Sequence, residues 1–431
     1  MESFSSSASK AKELIAPLRD DIIRLLTELV RTDTVAIPPQ GKEAAGQAVL
    51  VEFLRSFEVD TEVYETAFVT TSGHRSARMD RDYSGRRNVL AAVAGSGRGR
   101  SVLFNGHMDT VPPGHGQWTG SPWSGALRDG RLFGRGSFDM KGGLAAQFGA
   151  ICALRKHGVR PGGDVYAESV VDEEWGGGGG TLAARLHGPN ADACLIPEGT
   201  QMEAALATRG GAVIDIGCEA GNAAAYFSSG EVVSPAIPMG RLLGWVETWV
   251  ARRKTVKPDE AYRQFDDPVP VQVLAIEANR FDLSEPFSVP LTAAVRVYFQ
   301  FLPSENPEEV LAEVRSSLED FRRKDLFFRD HPLFWKPAYD PPLVGHALAA
   351  NHPWARTFVE SASAAMGEPV RVTAAPYPCD AGLVQREFGV PTLLFGPRGA
   401  GAHNPDEYVE VESVLDTAGV LLAAALEWCA A

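Results

Sequence analysis

The sequence predicts an α/β protein: a mixed, mostly parallel sheet in one domain, interrupted by a smaller α+β domain. Three observations predict it. Helical and short apolar strand patterns alternate toward both ends of the chain, the pattern changes between residues 202 and 316, and 431 residues exceed what one hydrophobic core usually serves. At 45% apolar residues the chain can fill two cores.

From the N-terminus, "AKELIAPLRDDIIRLLTELV" and "GKEAAGQAVLVEFLRSF" repeat apolar residues at helical spacing. "RNVLAAVAG", "SVLFNG", "GGDVYAESVV" and "ADACLIP" are short apolar runs between turn residues, which predicts buried strands. Residues 202–316 then read as strand "GAVIDIGC", helix "MGRLLGWVETWVARR", strands "VPVQVLAIE" and "LTAAVRVYFQFLP", and a helix from "PEEVLAEVRSS". The α/β pattern resumes with "HPWARTFVESASAAMG", "VPTLLFG" and a closing helix "VESVLDTAGVLLAAALEWC". The expected division is therefore 1–201 and 317–431 for one domain and 202–316 for the insertion.

A formal net charge of −14 argues against nucleic acid or an anionic membrane as partner. The N-terminus lacks a basic start followed by an apolar core, and no uninterrupted apolar run is long enough to suggest a membrane span. A cytoplasmic protein is expected. Cys152, Cys194, Cys218, Cys379 and Cys429 are scattered without a CxxC pair, which fits reduced, buried thiols.

Polar clusters fall where predicted strands end, the usual ligand-binding edge of an α/β sheet. In "FNGHMDTVPP", His107 and Asp109 form an H-x-D pair; an aspartate that accepts an imidazole N–H can orient a metal-ligating histidine, although such pairs also occur on ordinary surfaces. Asp139 in "GRGSFDMKGG" precedes a helix and could be a plain cap. "VVDEEWGGGGG" sets Glu173 and Glu174 between a buried strand and a short helix, so its five glycines read as room for close backbone approach rather than as a linker. Adjacent glutamates repel unless a cation holds them or one takes a proton; one as ligand and one as base resolves this. Glu198 in "LIPEGT" and His403 in "GAHNPDEYV" complete five candidate ligands: His107, Asp139, Glu174, Glu198 and His403.

In order and wording, "GHMDTVPP", "GRGSFDMKGG", "DEEWGG", "PEGT" and "AHNPDEYV" resemble the metal-site segments of the M20 family of metallo-aminoacylases and peptidases, over nearly the whole chain. The resemblance implies two divalent ions bridged by Asp139, one completed by Glu174 and His403 and the other by His107 and Glu198, with Asp109 orienting His107 and Glu173 as general base. Zinc suits that set, and manganese or cobalt is compatible. It further implies that 202–316 is a two-layer lid through which the chain forms a homodimer around a small-molecule substrate. "HPLFWKPAYDPP", "PYPCDAGLV" and "FGPRGAGAHNPDEYV" look most like the acetylornithine deacetylase branch, with Asp380 either near the site or capping the helix after it.

One departure bears on the chemistry. M20 hydrolases usually carry a lid histidine that stabilises the oxyanion, and this chain has no histidine between His187 and His331. Asn222, Tyr226 and Arg209 are the candidate substitutes. The expected activity is hydrolysis of a small N-acyl amino acid or related amide. A second reading is hydrolytic deamination of an activated aromatic amine such as a nitro-substituted aminobenzoate, whose ring would absorb the charge; a third is a binding protein without catalysis, against which the complete ligand set and Glu173 argue.

Overall fold

The computed structural model describes residues 2–220, 232–279 and 288–430, and the chain divides into two compact units. The first comprises Met1–Thr208, His346–Ala375 and Cys379–Ala431; the second comprises Arg209–Gly345 and Pro376–Pro378.

The first unit is built on a nine-stranded sheet. Its centre is parallel: Thr392–Leu394 pairs with Cys194–Ile196, which pairs with Val102–His107, which pairs with Val165–Val170. These are the apolar, doubly buried runs seen in the sequence. The sheet is mixed, as expected: outside the parallel centre, Arg87–Val93, Asp60–Glu65 and His346–Ala347 join antiparallel, as does Ala204–Thr208 on Thr392–Leu394, while Val372–Ala375 joins parallel. Strand periodicity records which residues are buried and carries no direction.

Helix Gly142–Lys156 is buried through Leu154, and its small residues let it lie close to its neighbours. A Cβ on Gly143 would stand 1.9 Å from the Pro197 carbonyl oxygen. The start of this helix is thus pressed against the segment that carries Glu198. Helix Val411–Ala430 is long and apolar enough to cross a membrane, but 72% of its apolar window is buried inside the protein. Its side chains join those of Glu2–Ile15, Gly142–Lys156 and Pro353–Met366 in one core.

The second unit is a four-stranded antiparallel sheet in the order Val271–Glu277, Thr292–Phe301, Gly210–Glu219, Phe334–Pro337. Along Thr292–Phe301 burial alternates, with Ala293, Val295, Val297 and Phe299 inside, so one face meets a core. Helices Ala236–Arg253 and Pro307–Lys324 supply the second layer, and Trp245 and Trp249 pack there with both indoles donating to Ser317 Oγ. The boundaries differ from 202–316. Residues Ala204–Thr208 pair within the large sheet, and the second unit runs on to Gly345 because Phe334–Pro337 pairs with Gly210–Glu219.

Candidate metal centre

Three of the four parallel central strands, Val165–Val170, Val102–His107 and Cys194–Ile196, end on one edge, and each leads into site residues there. His107 is the last residue of Val102–His107 and lies opposite Val170, so the Glu173–Trp175 turn follows beside it. Glu198 follows the next strand, Cys194–Ile196. Asp139 comes from the irregular turn before helix Gly142–Lys156, with φ −118° and ψ 94° outside the helical region. His403 follows the short strand Gly399–Ala400 and has a positive φ of 61°, a conformation that costs a non-glycine residue energy and recurs at functional sites.

These five side chains converge. Asp139 Oδ1 is 3.2 Å from His107 Nε2, and its Oδ2 is 3.1 Å from His403 Nε2. Glu198 Oε1 lies 3.4 Å from His107 Nε2, and Glu174 Oε2 lies 3.1 Å from His403 Nε2. Ligand atoms about 2.0–2.1 Å from one tetrahedral ion are about 3.3–3.4 Å apart, and those on an octahedral ion about 3.0 Å apart. The observed spacings fall in that range, so the donors fit two divalent ions that share Asp139.

Charge points the same way. Glu174 first, then the bonds to Asp139, push the His403 imidazole up to about 12 against the effect of burial. Burial works against a charged His107, but its contacts with Asp139, Glu173 and Glu198 override it and the net shift is upward. Burial pushes Glu198 up to about 7 and holds Glu173 well above the usual carboxylate range, with Asp380 and Glu198 adding to the Glu173 shift. A pocket in which both imidazoles cling to protons, Glu173 and Glu198 give up theirs reluctantly, and the two histidines keep Asp139 ionised against its burial is short of positive charge, which divalent ions supply.

The supporting residues are fixed by backbone donors. Asp109 is fully buried; its carboxylate accepts the amides of Glu173 and Glu174, both at 3.1 Å. Its carbonyl oxygen lies 2.9 Å from His107 Nδ1 and its Oδ1 3.7 Å away, so the backbone carbonyl, not the carboxylate, is the nearer partner of the ring. Asp172, in the left-handed region at φ 65°, accepts Tyr83 Oη at 2.7 Å and the Gly179 amide at 3.2 Å through Oδ2. Gly176–Gly180 are all buried. Cβ atoms there would stand 2.1 Å from Asp380 Oδ1 at Gly177, 1.7 Å from the Tyr83 ring at Gly179 and 1.6 Å from the Val171 carbonyl oxygen at Gly180. The glycine run is packed wall, in which added Cβ atoms would collide with neighbouring atoms.

Of the other sequence candidates, Asp380 does not cap helix Ala381–Phe388 with its side chain. It is buried against Gly177, burial raises its carboxyl to about 6, and its Oδ2 has no hydrogen-bond partner among the described residues. Arg209, offered as a substrate contact, is instead engaged within the second unit. Its Nη1 donates to Gln300 Oε1 and the Pro376 carbonyl, its Nη2 to the Asp267 carbonyl, and its guanidinium lies over Tyr262 and Phe265. Asn222 and Tyr226 lie outside the described residues. Sequence reasoning passed over Asp172 and Glu407, both buried carboxylates that bind backbone amides. The one available signal was position, since each adjoins a ligand segment.

The sequence model described as Peptidase family M20/M25/M40 matches residues 103–427. An N-formyl-4-amino-5-aminomethyl-2-methylpyrimidine deformylase of Halalkalibacterium halodurans is 23% identical over 98% of both chains. A succinyl-diaminopimelate desuccinylase of Gluconacetobacter diazotrophicus is 35% identical over 43% of this chain and 44% of its own length. Among solved structures, the di-peptidase Dug1p of Saccharomyces cerevisiae superposes with a TM-score of 0.79 at 13% identity, covering 99% of both chains.

Proposed function

Because the chain belongs to Peptidase family M20/M25/M40 and is a hydrolase acting on carbon–nitrogen bonds, we propose that it deacylates a small N-acyl amino acid or related amide. The observation that carries the proposal is the two-sided placement of Asp139, with Oδ1 toward His107, which Glu198 also faces, and Oδ2 toward His403, which Glu174 also faces. When bound, two divalent ions would supply an acidified water and polarise the amide carbonyl. Zinc, manganese and cobalt are all compatible with two imidazoles and three carboxylates.

Glu173 is the proton carrier in this reading. Its amide is tied to Asp109 Oδ1, and its Oε2 reaches to 3.8 Å from His107 Nε2, farther from that ring than Asp139 or Glu198. Burial raises its pKa, which suits a group that takes a proton from water and hands it to the leaving nitrogen. Asp109 holds the Glu173 and Glu174 amides, and Asp380 presents its free Oδ2.

The relatives named above remove succinyl and formyl groups, which supports acyl chemistry. No feature of the site favours the aromatic-amine reading, and it is not retained. A homodimer in the cytoplasm completes the proposal, supported by five buried free cysteines and by the edge strand Val271–Glu277, whose Val273, Leu274 and Ile276 are exposed. The test is a screen of stripped and metal-reconstituted protein against N-succinyl, N-acetyl and N-formyl amines and dipeptides, reading free amine. Release that vanishes with chelator and returns with metal is expected. Absence of release from every amide would overturn the proposal.

A further inference from the structure

Glu407 lies at the centre of the bonds that hold the ligand segments together. Fully buried, it receives four donors. Oε2 accepts Arg135 Nη1 at 2.6 Å and the Gly136 amide at 2.9 Å, while Oε1 accepts the amides of Phe138 at 2.9 Å and Asp139 at 3.0 Å. Three of the four are backbone amides of the turn that carries the bridging aspartate. The Glu407 carbonyl also accepts the Gly134 amide at 2.9 Å, so its backbone is fixed to the start of the same turn.

Four residues earlier in the same loop stands His403. The two histidines differ in their support. His107 is 1% exposed and its Nδ1 meets the Asp109 carbonyl, whereas the His403 side chain is 53% exposed and has no counterpart of that bond among the described residues. Its ring is placed by the backbone of its loop, at a positive φ. That loop is moored to the Asp139 turn through Glu407. Packing adds to the mooring, because the Phe138 ring lies where Cβ atoms at Gly199 and Gly399 would meet it, at 2.3 and 2.5 Å.

We infer that Glu407 is a positioning residue that holds Asp139 and His403 in mutual register, and that the ion these two share with Glu174 depends on it more than the ion at His107 and Glu198. The inference rests on the two-ion reading of the site. Conversion to glutamine keeps the volume but sets an amide NH2 against the Gly136 amide and Arg135, so at least one side of the cradle is lost.

The experiment titrates the stripped full-length protein with cobalt(II), following visible absorption and calorimetry, for wild type, Glu407→Gln and Arg135→Lys. Wild type is expected to bind two ions. Glu407→Gln should bind the first as wild type does and the second about 10- to 100-fold more weakly, with an altered spectrum for that ion. Arg135→Lys, which leaves the three backbone amides on the carboxylate, should keep both and shows that loss is not a general effect of disturbing the pair. Should Glu407→Gln lower the melting temperature yet bind both ions with wild-type affinity and spectrum, Glu407 is merely structural and the inference falls. Equal weakening of both ions, or equal loss in Arg135→Lys, also overturns it. A wild type that binds fewer than two ions overturns the two-ion reading, and this inference with it.

Discussion

Replacing Gly180 by alanine tests whether the glycine run is a packed wall. Its φ of −101° suits any residue, so the effect is steric. The new Cβ would stand 1.6 Å from the Val171 carbonyl oxygen, a backbone atom one residue before Asp172. Asn88 closes the pair from the other side, donating to the Gly180 carbonyl at 2.9 Å and accepting the Val171 amide at 3.2 Å. Relief therefore requires moving the backbone that leads into Glu173 and Glu174 by more than about 1 Å. Overpacking of this kind costs about 1–3 kcal/mol. At about 2.1 cal/mol/K of unfolding entropy per residue, a chain of 431 residues loses only about 1–3 °C of melting temperature. Displacing reacting groups by about 1 Å, in contrast, can cost about 100-fold in rate. Turnover is thus the sensitive reading. The assay is amine release at saturating metal, with Gly419→Ala as control: nothing beyond its chain neighbours and its own helix backbone lies within 4 Å of that Cβ, and a helix-interior alanine should stabilise by up to about 1 kcal/mol without altering turnover. Wild-type turnover and metal content in Gly180→Ala would refute the reasoning.

Glu173→Gln should keep both ions by elemental analysis and lose roughly 100- to 10,000-fold in turnover, while Glu174→Gln should lose an ion; near-normal turnover of metal-loaded Glu173→Gln would remove it as the base. His346 lies buried between Thr208 Oγ1 and the Thr392 carbonyl, and burial lowers its pKa to about 4. The folded state therefore binds fewer protons than the unfolded state between about pH 6.5 and 4. Stability that is present above that window is lost as pH falls through it, on the order of 3 kcal/mol, and His346→Asn should flatten that part of the denaturation profile. Charging the exposed edge with Leu274→Lys and Ile276→Lys should convert a dimer to a monomer by light scattering, and an unchanged dimer would place the interface elsewhere.

The candidate ligands were legible because His107, Glu174 and Glu198 end or follow apolar runs whose burial leaves their ends as the natural ligand edge, while Asp139 and His403 stand in polar turns of the same kind, before a helix and beyond a short strand. Glu407 was not. A carboxylate whose partners are backbone amides some 270 positions away resembles any surface glutamate in a loop, and only the folded turn reveals the cradle. Asp380 was ambiguous because a residue before a helix reads alike whether or not its side chain caps it. The second unit was visible as a change of pattern, but its end was not, since strand Phe334–Pro337 has no local feature that assigns it to one sheet over another.

The most direct measurement is anomalous diffraction from crystals of the zinc- or manganese-loaded protein. The account predicts two peaks per chain, about 3.5–4 Å apart, bridged by Asp139 and flanked by His107 with Glu198 on one side and His403 with Glu174 on the other. A single peak, or ions bound away from these five residues in an enzyme active on amides, would contradict it.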